Sequence, residues 1–199
     1  VKRNSRTGKL AVVRLFVGAF TAFAMVLAAA PVTAQQPAKR AESGTSPGPR
    51  ALGTFDAWTA VEMTERGSKI CYILSRPTKS EPANVRRGDV LLMVTHRPAA
   101  NRRDEVSFQA GYNYKAGSDV AVEVDKTKKF EFFTRPDVDD DGAWTRDAAT
   151  DKALIEAMRA GTTLTVKGTS ARGTQTTDTF SLIGFSKAYA EIGKACGIR

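Results

Sequence analysis

A mainly β fold, an antiparallel β-sandwich carrying one or two short helices, is what this sequence predicts, on three observations. Val106, Phe108, Ala110 and Tyr112 alternate strictly with other residues, as do Val120, Val122 and Val124; this is the two-residue period of half-buried strands. Dense apolar runs at Ile70-Cys71-Tyr72-Ile73-Leu74 and Val90-Leu91-Leu92-Met93-Val94 read as buried strands. Only two segments, around Leu154 and around Ile192, carry helical spacing. A partly open barrel with covering helices is the alternative that fits the same pattern.

The chain opens with a different kind of segment. Lys2, Arg3, Arg6, Lys9 and Arg14 precede an apolar run from Leu15 to Ala30, and Val32-Thr33-Ala34 follows with small residues before Gln35. That is the layout of a cleavable secretory signal over residues 1–34. The apolar run is shorter than the roughly 20 residues a spanning helix needs, so no transmembrane segment is expected after cleavage. A periplasmic, secreted or cell-surface location follows. Residues 35–51, with three prolines and two glycines but hardly a large apolar side chain, are expected to be a flexible linker. The folded domain is then residues 52–199, enough chain for one real core.

The strands come in order. Phe55 to Met63 is read as one opening strand with Trp58 in its middle. The runs at 70–74 and 90–94 stop at Arg76-Pro77 and Pro98. The two alternating segments follow. A polar turn at 126–129 separates the second from Phe130, Phe132 and Phe133. A helix is predicted from a cap at Thr150 or Asp151, with Leu154, Ile155 and Met158 as its stripe and Gly161 after it. Strands at 162–167 and 177–183 come next. Phe185, Ala188, Tyr189, Ile192 and Cys196 then recur at helical spacing. Phe55, Trp58, Tyr72 and Phe108 are all assigned to core packing.

Charge excludes one class of function. The whole chain is +9, but the leader holds five of the basic residues and no acid, leaving +4 for the rest. Nucleic acid is not an expected partner. Lys126, Lys128 and Lys129, and likewise Arg97, Arg102 and Arg103, are expected to be solvated faces.

The two cysteines, Cys71 and Cys196, are expected to form one disulfide in an exported chain. The loop would span about 125 residues, worth roughly 4–5 kcal/mol in the chain-entropy model.

Catalytic patterns are missing. The single histidine, His96, is expected to face solvent at a strand end. There is no G-x-S-x-G, S-x-x-K, P-loop or G-x-G-x-x-G. One His and two cysteines do not make a zinc site. Glu62, Glu65, Asp89 and Asp104 form no recognisable acid pair, so a hydrolase would need a carboxylate-lined cleft. The sharpest local pattern is D-x-D-x-D-G at Asp137, Asp139, Asp141 and Gly142, the start of a calcium loop. Its twelfth position is Ala148 rather than Glu, so an acidic hairpin turn is the main reading. Calcium at Asp137, Asp139 and Asp141 is the alternative; no other cofactor is expected.

Several features combine into a resemblance. They are Phe55-x-x-Trp58, Cys71 in its apolar strand, and Ser181-Leu182-x-Gly184-Phe185-x-x-Ala188 ahead of a final helix ending near Cys196. Together these resemble the invasion-associated locus B family of bacterial exported proteins, across roughly residues 52–199. The resemblance implies an immunoglobulin-like β-sandwich on the periplasmic or outer side of the envelope, linked to host-cell invasion or colonisation. It implies no catalytic residue. An interaction protein with an unknown protein or cell-surface partner is the expected function, and a calcium- or small-ligand-binding module is the alternative.

Overall fold

The computed structural model describes residues 48–135 and 139–198. The leader, most of the linker and Asp137 lie outside the described residues. The described fold is mainly antiparallel β, with eleven strands and two helices. The strands are β1 (Arg50–Phe55), β2 (Trp58–Glu65), β3 (Ser68–Ser75), β4 (Lys79–Glu81), β5 (Leu91–Arg97), β6 (Arg102–Gln109), β7 (Val120–Val124), β8 (Lys128–Arg135), β9 (Asp139–Trp144), β10 (Thr163–Thr169) and β11 (Gln175–Ser181). Helix α1 (Ala148–Ala160) lies between β9 and β10, and α2 (Phe185–Ala195) follows β11.

The hydrogen-bonded order is β1-β2-β3-β5-β6-β9-β8-β7-β10-β11-β4. This continuous ribbon folds over itself so that its two halves face each other across one core. Phe108 on β6 meets Phe180 on β11 edge-to-face at 6.0 Å between centroids, although four strands separate them in the order. Every alternate position on the inner side is buried, including Ile73, Leu92, Val94, Val106, Val122, Leu164 and Val166. The helices close the core with Leu154, Ile155 and Met158 from α1 and Phe185, Ala188 and Ile192 from α2.

Hairpin turns explain how short connections suffice. Arg66 and Gly67 both have positive φ, the arrangement that matches the twist of flanking strands in a two-residue loop. Phe55 to Met63 is not one strand. Asp56, at φ 52°, turns the chain between β1 and β2, and Phe55 faces Trp58 across the hairpin. Alternation of apolar residues continues through this turn, which hides it from a periodicity reading.

Three further expectations are corrected. Asp139, Asp140 and Asp141 do not lie in a turn: Asp139 to Trp144 forms β9, paired with β6 and β8. Its register is set by those neighbours, because Ala143 is its sole fully buried side chain besides Gly142. The α1 cap is Asp147, whose carboxylate accepts from the Thr150 N–H at 2.8 Å. The first turn, Ala148 to Thr150, adds no apolar stripe and so carries no periodic signal. Asp151 is buried instead, accepting from the Val106 N–H at 2.9 Å and the Thr145 hydroxyl at 2.5 Å. Finally, His96 is fully buried. β5 runs on to Arg97, and Leu92, Val94 and His96 share its inward face.

Cys71 and Cys196 are bonded, with Cα atoms 6.0 Å apart. The bond fixes the end of α2 to β3. Among the described residues, no helix is long and apolar enough to cross a membrane.

Candidate functional site

Strand alternation leaves one side of the sheet facing away from the core. On β2, β3, β5, β6, β9 and β8, that side carries an apolar strip among polar residues. Register places Leu74, Met93, Ser107, Trp144 and Phe133 in one ladder across five strands. Tyr72 and Met63 extend it on the neighbouring rows. All but Ser107 are half-buried, and Ser107 is the low point between Met93 and Trp144. The result is an open trough of about 390 Å³, lined wholly by strand residues. Among the described residues, no helix or loop contributes to that lining. Tyr72 therefore belongs to this outer face rather than to the core.

Gly142 shapes the trough. A Cβ there would lie 2.5 Å from the Trp144 ring, so only glycine lets the indole lie back over its own strand. An aromatic ring resting on a strand glycine is a known way to restore packing at such a position.

At one end the trough meets a cleft of about 520 Å³. Arg97, Glu105 and Trp144 line both. Arg97 and Arg102 face each other across the β5–β6 pair. Arg103, Arg135 and Arg146 complete a set of five guanidiniums on three separate parts of the chain. Arg146 also lies over the Phe133 ring, 5.9 Å from its centroid. Arg102 pairs with the partly buried Glu105 at 3.1 Å, and two ion pairs are exposed on both sides, Arg97 to Glu65 at 3.2 Å and Arg146 to Glu131 at 3.0 Å. Pairs of this kind contribute little stability and are readily exchanged. Two of the carboxylates lining the cleft are already committed, Asp147 to the helix cap and Asp151 to Val106. Arg97, Arg102 and Arg103 are thus solvated, as expected, but they converge with two arginines that sequence reading left out.

The other candidate residues fall elsewhere. Glu62 pairs with Arg50 and Lys69, Asp89 with Arg76, and Asp104 accepts from the Tyr189 hydroxyl at 2.5 Å. None of them forms a carboxylate pair. The His96 Nδ1 accepts from the Asp104 N–H at 3.1 Å, while its buried Nε2 has no partner. Burial pushes the His96 pKa down. Asp139 and Asp141 lie on β9, where the Gln109 amide donates to Asp141 at 3.3 Å. Burial, with the Asp139 carboxyl beside it, holds Asp141 above the usual carboxylate range.

The motif residues form a structural joint. The Trp58 Nε1–H donates to the Ser181 carbonyl at 3.0 Å. The Ser181 hydroxyl accepts from the Ile183 N–H at 3.2 Å. Phe185 meets Trp58 edge-to-face at 5.0 Å, and Leu182 and Ala188 are buried. Gly184 has φ +90°, and a Cβ there would fall 1.9 Å from the Phe55 carbonyl oxygen. The F-x-x-W turn and the S-L-x-G-F-x-x-A segment therefore occur together because they are two halves of one contact.

Fold and joint define a class: an antiparallel β protein with its terminal helix stapled to the sheet by one disulfide and one apolar sheet face left open. The sequence model described as "Invasion associated locus B (IalB) protein" matches residues 58–193. The chain belongs to that family. Among solved structures it is similar to the crystal structure of invasion associated protein b from Bartonella henselae, with 18% identity and a TM-score of 0.51, covering 72% of this chain and 96% of that one. At that identity the likeness speaks for the fold alone. Comparison with curated proteins gives no match.

Proposed function

We propose that the chain is an exported, non-enzymatic envelope protein that acts by binding, and that it binds through the trough on the outer face of β2, β3, β5, β6 and β9. The observation that carries this reading is the uncovered ladder of Leu74, Met93 and Trp144, which Phe133 continues into the arginine cleft. Met, Tyr, Trp, Phe and Arg are the side chains enriched in the cores of interfaces, and contiguous exposed apolar patches mark binding sites. The basic, apolar leader and the Cys71–Cys196 bond support export to an oxidising compartment. A part in host-cell invasion or colonisation comes only from the family.

The test is retention of envelope components by the chain from Gln35 onward, immobilised and compared with its Met93→Glu variant. Binding through the trough predicts retention by the parent and a loss of at least tenfold in the variant. Equal retention by both, or none by either, refutes it. A second reading attaches to Asp139 and Asp141, whose carboxyls lie close enough to raise Asp141. Retention that disappears with chelator and with Asp139→Asn, but not with Met93→Glu, would assign binding to a calcium site there.

A further inference from the structure

The trough and the arginine cleft are one continuous surface, and they ask for opposite chemistries at their two ends. From the geometry we infer that the site takes an anionic amphiphile, one molecule with an acyl-type tail and a phosphate or comparable oxyanion head. This rests on the reading that the trough is the binding face. The tail lies along Leu74, Met93 and Trp144, and the head sits between Arg97, Arg102 and Arg146.

Three features select this ligand. Both cavities fall within the usual range of small-ligand sites, about 300–1,000 Å³. An apolar strip of Leu74, Leu91, Met93 and Trp144 runs through the trough beside the buried Ser107, with Thr95, Gln109 and Asp139 among the polar residues that also line it, and the tail takes the strip. The cleft offers planar guanidiniums from the β5 and β6 ends and from the segment after β9. Forks of this kind bind phosphate oxygens in pairs. Glu65 and Glu131 are exposed, at 53% and 50% of their side chains, so an oxyanion can displace them at low cost; Glu105, 21% exposed, pairs with Arg102 and Arg97 and is the carboxylate the head has to displace. A purely apolar partner would leave the five arginines unused. A simple anion would leave the trough unused. A protein partner would have to present an acidic group at the end of a narrow apolar ridge.

Dodecyl phosphate, titrated below its micelle concentration into the intact protein, tests this. Trp144 reports the trough, because Trp58 is fully buried, and the Trp144→Phe variant identifies the signal. The expected result is saturable binding of dodecyl phosphate at least tenfold tighter than of dodecyl maltoside, which has the same tail and no charge. Inorganic phosphate alone should bind far more weakly. The Arg102→Gln/Arg146→Gln double variant should lose roughly tenfold or more for the phosphate while leaving the maltoside unchanged, since charge-assisted bonds are the stronger ones. Met93→Glu should weaken both ligands. Its thermal unfolding is followed alongside, and Met93→Thr serves as a milder variant.

Equal affinity for the two dodecyl ligands overturns the proposal, as does an arginine variant that binds normally. Binding to phosphatidylglycerol vesicles without binding of the monomer would make the face a membrane contact and overturn it too. An envelope component that is lost with Met93→Glu, yet is neither displaced by dodecyl phosphate nor weakened by the arginine variant, would keep the trough as the binding face and reject the amphiphile.

Discussion

Gly184 carries more of the fold than its size suggests. Its positive φ and the 1.9 Å approach of the Phe55 carbonyl to a built Cβ predict that Gly184→Ala costs about 3 kcal/mol or more, combining backbone strain with overpacking. Urea unfolding of the two proteins measures it, and a cost under 1 kcal/mol would show that the joint does not depend on that approach. Asp178 is a second such residue. It is fully buried and takes both Arg87 guanidinium nitrogens, plus the Ser80 hydroxyl at 2.6 Å. Asp178→Ala would strand the buried Arg87 charge, a loss of about 3–5 kcal/mol. Adding Arg87→Met should recover part of it. His96 gives the chain a pH response. Its folded pKa lies below the ordinary 6.5 because it is buried. As pH falls below 6.5 the unfolded chain takes up a proton that native His96 resists, so stability falls with pH in that window and is unaffected above it. Denaturant unfolding at pH 7.5 and 5.0 should show this loss. His96→Leu should start less stable, because the Asp104 N–H loses its acceptor, and should lose less on acidification. An equal loss in both proteins would assign the acid sensitivity to other groups.

At the scale of elements, α2 depends on its attachments. An isolated helix of this length is marginal in water. It is held by Phe185, Ala188 and Ile192 on its buried stripe and by the disulfide at its end. Replacing both cysteines by alanine is expected to cost about 2–5 kcal/mol. Hydrogen exchange should then quicken first in the last turns of α2, and an even acceleration over all strands would contradict the staple. The elements also show what could be read in advance. β3, β5, β6 and β7 were legible because their apolar positions alternate or run together, and α2 because its stripe spans three turns. β4 and β9 were not. Lys79–Glu81 and Asp139–Trp144 hold few apolar side chains and are strands because β11, β6 and β8 offer them hydrogen bonds, which is tertiary information. The same limit hid the site. Leu74 and Met93 are plain in the sequence as apolar strand residues, but a run such as Ile70 to Leu74 reads as buried on both faces. Only the absence of a covering layer among the described residues distinguishes an open face from a core. Arg135 and Arg146 had no reason to be grouped with Arg97 until β8, β9 and β6 came together.

Considered whole, the molecule separates what holds it together from what it presents. The core between the two halves of the ribbon contains Trp58, Phe108, Phe132, Phe180 and Phe185, all essentially fully buried. Leu74, Met93 and Trp144 lie on the opposite side of the sheet from that layer, with Phe108 the core residue that also reaches the trough lining. If the trough were a structural asset, thinning it would weaken the fold. If it exists for binding, thinning it leaves the fold intact and removes the affinity. Leu74→Thr/Met93→Thr makes the distinction, because threonine suits a strand and shortens both side chains. Away from cores, caps and buried networks, substitutions change stability by about half a kcal/mol each, so the double variant should unfold within about 1 kcal/mol of the parent. Dodecyl phosphate binding and envelope retention should both fall by at least tenfold. A loss of several kcal/mol with binding unchanged would mean that the face is packed rather than presented. Residues retained at no benefit to stability are the signature of a functional surface, and the comparison of these two measurements on one variant locates that surface on this sheet.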